Sequence, residues 1–132
     1  MQSIYAIHQH KLDDLAREEK FLFYSIESIQ DLYLLLFSTL IELRNKEEIY
    51  VNLSSKKHLA TKEEKNPNLK FVSNEVFLML GEQTSLSKAI DTRKINNWKL
   101  NDDLILQLLE DIKKSEVYIN YMNDKSKSFD ND

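Results

Sequence analysis

The chain of 132 residues contains one glycine, Gly81, and one proline, Pro67. These two residue types interrupt or bend regular structure, so a chain nearly free of them is directed toward long helices. Sandwiches and barrels are disfavoured, since they need a turn signal every ~8–12 residues. Charged residues make up 30% and hydrophobic ones 42%, the balance of a soluble globular chain rather than a disordered one. The length sets a prior of one domain, able to hide ~60–70% of its unfolded surface without staples. An all-α, irregular helical bundle is expected.

Several functional classes fall away. Eighteen Lys and Arg against 22 Asp and Glu leave a net charge of −4, whereas a nucleic-acid coat protein is basic overall. A local basic patch remains compatible with that balance. With no cysteine, disulfide scaffolds, cysteine zinc sites and thiol catalysis are excluded. The first ten residues lack the basic segment of a signal peptide. In the richest apolar run, residues 21–43, Glu27, Gln30, Asp31 and Glu42 intervene. Its uninterrupted part, residues 32–37, is far short of the ~20 residues a membrane span needs. A cytoplasmic protein without membrane contact is expected.

The apolar pattern is already under way at Met1, Ile4, Tyr5 and Ile7, with no cap before it. Met1 reads equally as an internal methionine or as the start of a short frayed helix. Residues 11–14 interrupt the pattern, and Asp13 or Asp14 is placed to cap a new helix with Glu18 and Glu19 near its positive end. From there Leu15, Leu22, Ile26, Ile29, Tyr33, Leu36, Phe37, Leu40 and Leu43 follow the amphipathic stripe of a helix. Residues 32–43 are apolar nearly all round, which places residues 14–44 at the centre of the bundle. A helix over 14–58 would run ~65 Å at ~1.5 Å per residue, so a kink or break is expected near Ser38-Thr39.

Thr61 followed by Glu64 is a capping-box pattern inside a connector over 56–68. Ser73 or Asn74 can cap a helix ending near Gly81. Ser85 can cap the next, burying Leu86, Ala89 and Ile90. Asn96-Asn97 marks a turn, with Trp98 packing at the junction. Asn101 caps a helix with the stripe Leu104, Ile105, Leu108, Leu109 and Ile112. Ser115 opens the last one, and residues 124–132 read as a polar tail.

Catalytic motifs are absent. One glycine cannot build a phosphate cradle. His8 and His10 point to different sides of a helix, and His58 is distant, so no metal spacing exists. The doublets Glu18-Glu19, Glu47-Glu48, Glu63-Glu64 and Asp102-Asp103 are adjacent rather than convergent, and Ser54-Ser55 carries no nucleophile turn. No enzyme, cofactor or metal is expected. Tyr33, Tyr118 and Tyr121 fit core positions better than base-stacking platforms. The exception to this uniformity is a basic cluster around the connector: Lys56, Lys57, His58, Lys62, Lys65 and Lys70. Glu63 and Glu64 dilute it. Its lysines could contact phosphates, or simply form a solvated face.

Taken together, the segments MQSIYA, EEKFLFYSIESIQDLYLLL, KKHLATKEEKNPNLKFV, RKINNW and IKKSEVYINYM resemble, in order, the transcription antitermination factor NusB of Bacteroidetes type. The resemblance covers residues 1–123. It implies an all-helical, non-catalytic cytoplasmic protein that pairs with NusE, a small-ribosomal-subunit protein. The pair binds boxA RNA of ribosomal RNA transcripts within the RNA polymerase antitermination complex. It further implies that residues 1–10 are the remnant of the first NusB helix and that residues 11–123 are a helical insertion, together one helical domain.

Two parts of the family pattern have no counterpart. The arginine-rich stretch that opens the first helix is missing, and so is the C-terminal core that carries much of the NusE surface. A fragment or truncated product is therefore expected, with weak or no RNA binding by itself. The family's Gln-x-x-Tyr matches Gln2 and Tyr5, which are carried over as RNA-facing. With Lys56, Lys57, Lys62 and Lys65 they form the candidate RNA-binding set. The alternative is a helical interaction module that docks ribosomal or polymerase partners and has no RNA role of its own. Its basis is the acidic balance and the sparse arginines, Arg17, Arg44 and Arg93.

Overall fold

A computed structural model describes residues 2–125, with side chains placed at Ile4 and from His8 onward. It is all-α, with no strand among the described residues. The helices are α1 (Gln2–Ser55), α2 (Lys62–Lys65), α3 (Glu75–Glu82), α4 (Thr84–Thr92), α5 (Asn97–Leu100), α6 (Asp102–Lys114) and α7 (Glu116–Asn123). The chain divides into two compact units, Met1–Tyr33 and Leu34–Asp132, and α1 contributes to both.

The first unit is the opening part of α1. The expected interruption at residues 11–14 is absent, and the helix runs through Asp13 and Asp14. Lys, Leu and Asp cost a helix only tenths of a kcal/mol each, up to ~0.7, so without glycine or proline nothing stops it. His10 and Asp14 lie 3.8 Å apart one turn along the exposed surface. Nor is there a break at Ser38-Thr39. The Thr39 hydroxyl donates back to the Leu35 carbonyl at 2.7 Å, a bond made inside the helix. The helix ends at Ser55, three residues before the expected limit.

The second unit holds the core. Leu43, Phe71, Ile105 and Leu109 are buried together, and Phe77, Trp98, Ile112, Tyr118, Tyr121 and Met122 pack against them. Each buried aliphatic or Phe side chain contributes on the order of 1.5–3 kcal/mol. Phe71 is the aromatic hub, meeting Phe77 and Tyr118 edge-on at 5.1 and 5.5 Å between ring centroids. Trp98 packs at the junction after Asn96, and its indole N–H donates to the Thr39 hydroxyl at 3.0 Å. Arg44 donates through Nε to the Val72 carbonyl at 3.0 Å, and Lys46 pairs with Asp102 at 2.8 Å.

The stripe reading of α1 needs correction. Leu22, Ile26, Ile29, Tyr33 and Leu36 are exposed, Tyr33 by 59% and Leu36 by 53%, so residues 14–44 are not central throughout. Full burial begins at Leu43. Periodicity identifies which side of a helix is apolar, not which length of it meets the rest of the chain. In α6, Ile105 and Leu109 are buried while Leu104 and Leu108 are exposed.

Caps account for most boundaries. The box at Thr61 is complete: the Glu64 N–H donates to its hydroxyl at 3.2 Å, and the Thr61 N–H donates to the Glu64 carboxylate at 2.8 Å. Asn74 accepts from the Phe77 N–H, and Ser115 from the Tyr118 N–H. Ser85 lies inside α4 rather than at its cap, which falls on Gln83. Asn101 holds the cap position of α6, but its side chain donates to the Asn97 carbonyl instead. α4 ends on Arg93, followed by Lys94 at φ 56°. There the Ile95 N–H reaches the Ile90 carbonyl at 3.0 Å, a left-handed C-terminal cap usually given to glycine.

Candidate functional site

The connector after α1 carries the candidate lysines. Lys56 and Lys57 follow Ser55, and Lys62 and Lys65 bound the single turn of α2. All four are exposed. Lys57 approaches the Glu64 carboxylate at 3.7 Å. The backbone hydrogen bond from Thr61 chiefly holds the Glu64 carboxyl below its ordinary value of 4.5, with Lys57 adding to it. The site is therefore a solvated lysine patch with one of its cations drawn to an acid.

Lys70 does not belong to that patch. It is buried, and its ammonium donates to the Tyr121 carbonyl at 2.7 Å and the Asp124 carbonyl at 3.0 Å. It also lies 4.2 Å from the centre of the Tyr121 ring. This ammonium thus closes the C-terminal end of α7, where carbonyls lack helical partners. Gln2 and Tyr5 fall in the first turns of α1, and their side chains lie outside the described residues.

Two further surfaces emerge. A groove of about 510 Å3 runs beside Phe71, Phe77, Ile112, Val117, Tyr118 and Tyr121. Burial pushes the Tyr118 hydroxyl up to about 12, helped by the charge of Glu47 and then by Tyr121. Glu47 is itself buried and ion-paired with Lys113, whose ammonium also sits 4.4 Å from the centre of the Tyr50 ring. The other surface is the opening part of α1, where Phe21, Leu22, Phe23, Tyr24, Ile29 and Tyr33 are all more than half exposed. Leu22, Ile29 and Tyr33 share one side of the helix and Phe21, Phe23 and Tyr24 stand on others, so this length exposes large apolar side chains nearly all round, and such exposure marks an interaction surface.

Among the described residues no cluster of His, Asp and Glu could hold a metal ion. Among them, too, no helix is long and apolar enough to cross a membrane. No family model matches the chain, and no curated protein or solved structure is significantly similar to it. What is established is thus an all-α chain with a small mixed core, a lysine-bearing connector and an apolar helix face.

Proposed function

We propose that the chain is part of a NusB-type RNA-binding transcription antitermination factor, acting with NusE on boxA RNA of ribosomal RNA transcripts. The observation that carries this reading is the ordered set of segments from MQSIYA to IKKSEVYINYM. The all-α fold agrees with it. In this reading Gln2 and Tyr5 face RNA, and Lys56, Lys57, Lys62 and Lys65 meet phosphates. Four such lysines would give a salt slope of roughly −3 on single-stranded RNA, a minor share of the affinity. The test is binding of boxA and of scrambled RNA by the longer factor that carries this chain, together with NusE. A clear preference for boxA is expected, and equal binding of both would sink the reading.

A second reading is favoured by one specific observation, the exposed apolar length of α1. It makes the chain a helical module that docks ribosomal or polymerase proteins without touching RNA. RNA binding by this chain alone, weakening steeply with salt and lost in Lys56→Ala/Lys57→Ala, would count against it.

A further inference from the structure

The apolar residues of the first unit recur with a heptad period. Leu15, Leu22 and Ile29 are seven apart, and Ile26 and Tyr33 each follow a member of that row by four. A 3-4 alternation is the seam of a coiled coil, where the partner is another helix wound along the same line. All five side chains are exposed, between 44% and 65%. A shallow depression of about 490 Å3 is lined by Leu15, Glu18, Glu19 and Leu22 together with Phe21 and Ser25. The first four, at i, i+3, i+4 and i+7, have the spacing of the hole that a seam residue of a facing helix enters.

We infer that this face is a self-association seam, in which two copies of the chain pair α1 antiparallel along residues 15–33. The seam is self-complementary in that direction. Leu15 faces Tyr33 of the second copy, Leu22 faces Ile26, and Glu19 faces Ile29, a two-fold arrangement of the commonest oligomer type. Charge selects the direction. The two ends of the seam carry the same net charge of −2, from Asp13, Asp14, Glu18 and Glu19 against Arg17 and Lys20 at one and from Glu27 and Asp31 at the other, so the selection falls to Glu19, the charged residue within the seam itself. Parallel pairing would bring the two Glu19 carboxylates together, whereas antiparallel pairing separates them and sets each opposite Ile29. The area suffices. With Phe23 and Leu32 beside the seam, roughly 100 Å2 per side chain gives ~700 Å2 per copy, within the range of standard interfaces. This inference does not depend on the antitermination reading.

Sedimentation velocity of the full chain at ~50 µM is the first test. A dimer is expected, and a monomer would overturn the inference and leave the face to a different chain. Leu22→Asp should yield a monomer whose Trp98 fluorescence, a reporter of the second unit, is unchanged. A Leu22→Asp protein that stayed dimeric would place the interface elsewhere. Glu19→Leu should tighten the dimer several-fold, and weakening would contradict the seam assignment. Because the chain has no cysteine, orientation can be read directly. Oxidising a mixture of Leu15→Cys and Tyr33→Cys chains should give mainly the mixed disulfide. Predominance of links between like positions would rule out the antiparallel arrangement.

Discussion

One helix, α1, behaves in two ways along its length. From Leu12 to Tyr33 its large apolar side chains stand exposed, whereas further on Leu43 and even the charged Glu47 are buried. Local composition accounts for little of this difference, because eight of 13 residues are apolar in 21–33 and seven of ten in 34–43. What differs is the company. From Leu34 onward the helix belongs to a unit in which Phe71, Ile105 and Leu109 surround Leu43. Hydrophobicity thus states a demand for cover, and only tertiary neighbours meet it.

The largest expected effect sharpens this contrast. Ile105→Ala, at the one fully buried large side chain described, should cost about 2–5 kcal/mol in urea unfolding followed by Trp98 fluorescence. Ile29→Ala should leave that same transition within about 0.5 kcal/mol of the unaltered chain. Equal losses at both positions would break the comparison.

Lys113→Met comes next. It leaves the Glu47 carboxylate buried without its cation and should cost about 2–3 kcal/mol, discounted for the partial exposure of Lys113. Glu47→Leu combined with Lys113→Met should recover much of that loss.

Tyr118 offers a pH test of the same region. Its folded pKa of about 12 lies above the ordinary 10.0, so the un-ionised phenol favours the fold. That stabilisation is complete below pH 10.0 and is lost as pH rises toward 12. Absorbance of the phenolate should show one tyrosine titrating late, and Tyr118→Phe should remove both the late titration and this part of the alkaline loss.

Lys94→Gly should stabilise the second unit by about 0.5–1 kcal/mol in urea, since φ 56° suits glycine. The smallest effect belongs to the connector. Thr61→Ala should fray α2, seen as faster hydrogen exchange at Glu64 and Lys65, with the Trp98 transition unmoved. The Glu64 carboxyl is held below 4.5, so its share of that cap is full above pH 4.5 and lost as pH falls further.

Local chemistry was readable in advance, and distant pairing was not. Thr61 with Glu64, Asn74 and Ser115 cap helices because their partners lie three residues away. The scarcity of glycine and proline announced the all-α fold, but also removed the signals that would have revealed where α1 continues, as at residues 11–14 and 38–39. Lys70 looked like one more cation of the basic cluster because its acceptors lie 51 and 54 residues onward. Glu47 looked like half of an idle doublet for the same reason, its cation being Lys113 on α6. Tyr33 and Leu36 were placed inside by a stripe that is real but faces outward.

Amide hydrogen exchange at two protein concentrations separates the two behaviours of α1 most directly. Residues 15–33 should exchange quickly in dilute solution and gain protection as concentration rises, while residues 103–112 keep the protection of the core at both. Strong, concentration-independent protection across 15–33 would contradict the claim that this length of helix depends on a second copy for its cover.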